Sequence, residues 1–282
     1  MVLFSNYVLS MGLYFILLIL FVIWMRKSVL SSLAFWVLSL LSIPYMYFFG
    51  AVEGWFRWSK TFSVILPLII LGFARISRFK EKEGSFWSFF NRRWILYFTY
   101  AVLTINILEA TLKGFSLGNT ANGIAGIALI LTTPLPILYW TIEKKNYGDL
   151  LAFTTLTWNI LYTTWNASFV YSESPSYVAS SLCILMAALI YPIIKRKNEL
   201  WASTRVYTLG LHLLIRGCFP LLFLNVMNAS AWYNPTVSYY WGIFNAVFGV
   251  SYVVWYAITM MNKKYQTDLV EKYNTTNQFD KA

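Results

Sequence analysis

The chain has 282 residues, of which 59% are hydrophobic and only 12% are charged, and its net charge is +11. About a quarter of the residues of a typical soluble domain are charged, so this composition excludes an ordinary soluble fold. The basic residues stand in short clusters between apolar segments, which is typical of membrane-protein loops and argues against nucleic acid as a partner. The predicted partner is the lipid bilayer.

Nine apolar segments follow one another along the chain, and a helix of about 20 residues crosses a bilayer. The predicted spans are residues 8–25, 29–50, 61–77, 94–113, 121–141, 149–171, 177–194, 200–226 and 237–262. Basic residues follow the first segment and none precedes it, which is the reverse of a cleaved signal peptide. We therefore expect an all-α fold, a polytopic transmembrane helical bundle formed by residues 1–264 as a single domain. Residues 265–282 are predicted to form a polar, disordered cytoplasmic tail.

The distribution of basic residues predicts the direction of each span. With the N-terminus outside, fifteen lysines and arginines fall on the cytoplasmic side, including Arg26, Arg75, Lys263 and Lys264. The outer side collects only Arg57, Lys60 and Lys113. Because positive charge concentrates on the cytoplasmic side, nine spans with an outer N-terminus and a cytoplasmic C-terminus are expected.

A stretch between the third and fourth spans, residues 75–94, mixes six cations with phenylalanines and tryptophans. This mixture predicts a short amphipathic segment that lies in the membrane interface. The alternative is a patch that docks lipid headgroups or a partner protein.

The sixth segment carries a polar helix face. Asn159 and Asn166 are two helical turns apart and so share that face, which is predicted to point into the protein because amides in lipid are costly. A tryptophan precedes each amide, and the pair of Trp165 and Asn166 is suited to a sugar, amino-acid or cation site. Helix packing through amide hydrogen bonds is an equal alternative. Asp149 is interpreted as a helix-start residue rather than a catalyst.

Polar side chains on four spans are predicted to lie at one depth, in the outer half of the membrane. They are Glu109, Asn166, His212, Arg216 and Asn245, and their common depth predicts one shared cavity that is open to the outside. Glu109 is the acidic residue placed to neutralise Arg216, so these two are predicted to form an ion pair. The pair is either a structural lock between two helices or part of a binding or proton-coupling site.

The candidate substrate-binding residues are therefore Glu109, Asn159, Trp165, Asn166, His212, Arg216 and Asn245. Arg205 lies on the same helix face as His212 and Arg216, but it is close enough to the inner end for its side chain to reach the interface. No catalytic residue, metal ligand or cofactor is predicted, because the sequence has one histidine and no clustered carboxylates.

Three short motifs add a resemblance. N-I-L-E-A at 106–110, Y-T-T-W-N-A-S-F-V-Y at 162–171 and R-V-Y-T-L-G at 205–210 resemble an uncharacterised family of bacterial multi-pass integral membrane proteins. The similarity extends from the fourth span to the eighth. It implies a location in the plasma membrane, here a bacterial inner membrane, and it implies no substrate.

A transporter or permease for a small polar or anionic solute fits these features best, since it needs an intramembrane polar site and helices interrupted by proline. The first alternative is a ligand-sensing or assembly protein that acts with a partner. The second is a membrane-embedded enzyme that acts on lipid, with His212 and Glu109 as acid and base. A retinal protein is not expected, because the last span has no lysine before Lys263.

Overall fold

The computed structural model describes residues 4–49, 52 and 54–261. The predicted tail at 265–282 and the basic pair Lys263 and Lys264 lie outside these residues. The helices are α1 (Phe4–Lys27), α2 (Val29–Ser39), α3 (Ser42–Phe48), α4 (Gly54–Phe79), α5 (Ser85–Phe90), α6 (Trp94–Ser116), α7 (Thr120–Thr132), α8 (Pro136–Tyr139), α9 (Leu156–Glu173), α10 (Val178–Ile194), α11 (Trp201–Cys218), α12 (Pro220–Met227) and α13 (Pro235–Met261). One antiparallel hairpin joins β1 (Trp140–Ile142) to β2 (Leu150–Ala152). The all-α class is confirmed.

Six helical segments of the described chain are long and apolar enough to cross a membrane. They correspond to the first, second, third, fourth, seventh and ninth predicted spans. The eighth is a bent pair, because α11 and α12 meet at an angle of 100°. The fifth is short, since the 13 residues of α7 extend only about 20 Å. The sixth, α9, is too polar to qualify on composition alone.

The hairpin lies where two of the predicted spans were expected to be helical. α7 ends at Thr132, because Thr133 and Leu135 each precede a proline and are held in extended conformations. The chain then forms β1, turns through Asn146–Gly148 with positive φ angles, and returns as β2. The interpretation of Asp149 as a helix-start residue is therefore wrong. Thr155 caps α9 instead, and its hydroxyl accepts from the backbone N–H of Trp158.

A buried ion network fastens the hairpin to the helices, and we call its three charged residues, Arg26, Arg75 and Asp149, the hairpin cluster. The Arg26 guanidinium donates to both carboxylate oxygens of Asp149 and to the Tyr191 hydroxyl. Arg75 is 1% exposed and its Nη2 lies 3.9 Å from the same carboxylate. The cluster thereby joins α1, α4, α10 and the hairpin at one end of the bundle, hereafter the hairpin end.

α9 stands at the centre of the bundle, packed against α7, α10 and α13. Trp158, Asn159 and Trp165 are all buried, as expected for a polar face turned inward. The outer faces of α1, α6 and α13 instead expose large apolar side chains such as Leu13, Ile105 and Val247. Together with the six apolar helices, these faces indicate a multi-pass membrane protein surrounded by lipid.

Candidate functional site

A cavity of about 160 Å³ lies among α4, α6, α9, α10 and α11, and we call it the polar cavity. At about 30 Å³ of liquid volume for each water, this volume has room for roughly five water molecules. Its wall includes Val52 and Arg57 near the start of α4, and Glu173 and Ser174 at the end of α9. Both segments lie at the end of the bundle opposite the hairpin. The cavity thus reaches inward from that opposite end.

Positive charge dominates the wall of the polar cavity. Among the described residues that line it, four are cations: Arg57, Lys60, Arg205 and Arg216. Glu173 lines it as well, and Glu109 stands behind Lys60, with 3.2 Å between Nζ and Oε2. Two carboxylates against four cations leave an excess of two positive charges, so the cavity attracts anions.

The predicted ion pair between Glu109 and Arg216 is wrong. Glu109 pairs with Lys60, which also donates to the side-chain oxygen of Asn106. Lys60 was assigned to an outer loop, but α4 begins at Gly54, so Lys60 lies within that helix and faces α6. Arg216 instead lies over the ring of Tyr177, 3.6 Å from its centroid.

Arg205 is buried at the bottom of the polar cavity, and its side chain is only 6% exposed. The Nε atom is 3.4 Å from the Tyr162 hydroxyl, and Nη2 is 3.5 Å from Oδ1 of Asn166. Both distances are at the long limit of a hydrogen bond. The Nη1 group has no hydrogen-bond partner among the described residues. The expectation that Arg205 reaches the membrane interface is wrong, because α9 draws the guanidinium inward.

His212 lies between Arg205 and Arg216 on α11 and also lines the polar cavity. Its Nδ1 is 3.1 Å from the Tyr14 hydroxyl, and its ring stacks on Phe223 with the centroids 4.8 Å apart. These contacts fix the ring at the α1 side of the cavity. Among the predicted site residues, Asn166, His212 and Arg216 are thus brought together around one space.

Four predicted site residues do not line the polar cavity: Glu109, which pairs with Lys60, and Asn159, Trp165 and Asn245. Asn159 accepts from Thr154 at 2.7 Å near the start of α9. Asn245 donates to Asn122 at 2.8 Å and accepts from Thr164 at 3.0 Å, which ties α13 to α7 and α9. Trp165 is 1% exposed within the core. Asn245 thus joins three helices, whereas Asn159 is bonded to the segment that precedes α9.

Sequence reasoning missed Arg57, Lys60, Tyr162 and Glu173 as cavity residues. Arg57, Lys60 and Glu173 flank apolar segments, where charge is ordinary, so their type and position carried no signal. Arg205 did carry one, because its spacing of seven and eleven residues from His212 and Arg216 keeps all three on one helix face.

The family of unknown function DUF5692 matches residues 3–282. The chain belongs to this family. The match extends the resemblance seen in three motifs to almost the whole sequence, and it confirms membership of an uncharacterised family. No curated protein and no solved structure matches the chain.

Proposed function

We propose that this protein is a permease that admits a small anionic solute into the polar cavity from the outer side of the plasma membrane. In this proposal the chain spans the membrane nine times with its N-terminus outside, and the hairpin end is cytoplasmic. Arg26, Arg75 and Arg78 at that end fit the preference of basic residues for the cytoplasmic side.

The observation that carries the proposal is the unsatisfied guanidinium of Arg205. A buried cation with unsatisfied donors costs several kcal/mol. A protein therefore retains such a cation where a ligand supplies the missing hydrogen-bond acceptors. Among the residues that the structure describes, the Nη1 N–H groups have no acceptor, and Nε and Nη2 have only long contacts. An oxyanion such as a carboxylate or phosphate accepts two parallel bonds from this fork, which Arg provides better than Lys.

The arrangement of the charges supports passage of an anion rather than a permanent structural role. Arg216 and Arg205 are eleven residues apart on α11, a rise of about 16 Å, so cations stand at both the mouth and the bottom of the cavity. The break between α11 and α12 at Phe219 follows Arg216 within three residues and provides a flexible point. Transporters place substrate sites beside such interrupted helices.

The structure gives the acid–base alternative no support, because Glu109 pairs with Lys60 and does not line the polar cavity with His212. A sensor or assembly protein with a partner remains the second candidate, and it would use the same anion site without moving the solute.

Transport is tested in proteoliposomes loaded with buffer and exposed to labelled phosphate, acetate and glutamate. We expect the wild type to accumulate at least one of these anions and Arg205→Gln to lose that uptake. Arg78→Gln is the matched control, since Arg78 lies at the hairpin end and does not line the cavity. Binding of an anion without any uptake would favour the sensor. The absence of both binding and uptake would refute the anion site.

A further inference from the structure

A second cavity of about 80 Å³ lies on the hairpin side of Arg205, among α4, α6, α11 and the hairpin. It shares four wall residues with the polar cavity: Asn106, Tyr162, Arg205 and Leu209. We call it the apolar cavity, because most of its wall is hydrocarbon. The apolar residues of that wall are Val64, Pro67, Leu71, Val102, Leu103, Trp140, Leu150, Trp201, Ala202, Val206 and Leu209.

Most polar side chains of the apolar cavity are hydrogen-bonded within the protein, whereas the indole N–H of Trp201 has no hydrogen-bond partner among the described residues. The hydroxyls of Ser63 and Thr99 donate to carbonyls of their own helices. The indole N–H of Trp140 donates to the carbonyl of Pro134 at 2.9 Å. Donors engaged in this way offer little to a polar solute, so this space favours a hydrocarbon occupant.

Arg205 stands where the two cavities meet, and the chemistry of the wall changes there. On the mouth side the wall carries Arg57, Lys60, Glu173 and Arg216, whereas on the hairpin side no charged residue among those described lines it apart from Arg205 itself. A small polar ion would fill the first space and leave the second empty. A molecule with an anionic head and an apolar chain would match both.

We infer that the ligand is an anionic amphiphile whose head binds Arg205 in the polar cavity and whose single hydrocarbon chain occupies the apolar cavity. This inference rests on the proposed anion site and names the chemical class of its ligand. The chain would leave water for a buried space at about 0.8 kcal/mol for each methylene, but it gains a similar amount on entering lipid. The inference is therefore measured by how much of the chain-length effect disappears when the cavity is filled.

The test uses full-length protein in phosphatidylcholine nanodiscs, with methyl phosphate, decyl phosphate and decyl maltoside as probes. Binding is followed by tryptophan fluorescence, since Trp140 and Trp201 line the apolar cavity. We expect decyl phosphate to bind at least about tenfold more tightly than methyl phosphate. Arg205→Gln should weaken both phosphates by about tenfold or more.

A variant that fills the apolar cavity distinguishes binding of the hydrocarbon chain from binding of the anionic head. Val102→Phe should abolish the advantage of decyl phosphate and leave methyl phosphate within about twofold. Ile105→Phe is the matched control on the same helix, because Ile105 is 61% exposed on the lipid side. If Val102→Phe does not fold, Val206→Phe fills the same space from α11.

Each result is decisive for one part of the account. Equal affinity for the two phosphates, unchanged by Val102→Phe, would overturn the amphiphile while leaving the anion site intact. Decyl maltoside binding as tightly as decyl phosphate would overturn the anionic head. If neither phosphate binds, and Arg205→Gln changes nothing, the proposed function fails together with the inference.

Discussion

Two buried arginines, Arg75 at the hairpin end and Arg205 at the bottom of the polar cavity, differ in how fully their N–H groups are hydrogen-bonded. An arginine has five N–H groups to satisfy. Those of Arg75 reach the carbonyls of Met25, Arg26, Tyr147 and Gly148 and the hydroxyl of Tyr207, in five hydrogen bonds of 2.7 to 3.2 Å. Arg205 has two hydrogen-bond contacts at 3.4 and 3.5 Å and lies 5.7 Å from the centroid of the Tyr162 ring, and its Nη1 has no hydrogen-bond partner among the described residues.

Burial of a charge does not by itself indicate function. The donors of Arg75 are saturated by backbone and hydroxyl groups, and Asp149 lies within 3.9 Å, so its role is complete within the protein. Arg205 is positioned by α9, but part of its guanidinium has no hydrogen-bond acceptor among the described residues. It lies beside a cavity with excess positive charge. Residues of the same type, both within a helix, are thus distinguished by the number of donors left open.

The largest expected effect is the loss of Arg75. Arg75→Gln leaves several buried carbonyls without donors and removes a cation from Asp149, which should lower the free energy of unfolding by about 3–5 kcal/mol. Thermal unfolding in detergent measures this, with Arg78→Gln one turn later as a control that should lose less than about 1 kcal/mol. Equal unfolding temperatures for Arg75→Gln and wild type would contradict the structural role.

The amides that lie away from the polar cavity should matter for stability and not for binding. Asn245→Ala removes the hydrogen bond from Asn245 to Asn122 and the one from Thr164 to Asn245, and it should cost about 1–3 kcal/mol. The same variant should keep its response to phosphate. A stable Asn245→Ala protein that no longer binds an anion would place Asn245 in the site after all.

Arg205→Gln should abolish anion binding without loss of stability, which is the reverse of the effect expected for Asn245→Ala. Removing an uncompensated buried charge should leave stability unchanged or raise it by about 1 kcal/mol, whereas anion binding disappears. The two quantities are measured on one preparation, by thermal unfolding with and without phosphate. Destabilisation as large as that of Arg75→Gln would mean that Arg205 is also a structural arginine.

The smallest expected effect concerns the partner of Glu109. A double-mutant cycle of Lys60→Met and Glu109→Gln should give a coupling of about 0.2–1 kcal/mol, because both side chains are partly exposed. The corresponding cycle of Glu109→Gln with Arg216→Met should give no coupling. The reverse order of the two couplings would restore the ion pair predicted from sequence.

Much of the helical framework was accessible from the sequence, since apolar length and basic flanks depend on local composition. α6 was expected at 94–113 and is found at Trp94–Ser116, and α10 was expected at 177–194 and is found at Val178–Ile194. The inward face of α9 also followed from composition, through Asn159 and Asn166.

The contacts that define the hairpin end and the site could not be obtained in the same way, because they join distant parts of the chain. Arg26 and Asp149 are 123 residues apart, and nothing near either residue indicates the other. A three-residue strand such as β1 has too few residues for a periodic pattern. Depth along the membrane correctly grouped Asn166, His212 and Arg216, but it does not specify which side of a helix faces which neighbour. Glu109 was therefore assigned the wrong partner.

The anion site at Arg205 is tested by measuring how phosphate changes the unfolding temperature of the wild type and of Arg205→Gln, with chloride at equal ionic strength as the reference. A bound anion stabilises the folded state in proportion to its occupancy of the site. We predict that phosphate raises the unfolding temperature of the wild type and of Arg78→Gln but not that of Arg205→Gln. An equal rise in all three proteins, or none in the wild type, would contradict an anion site at Arg205.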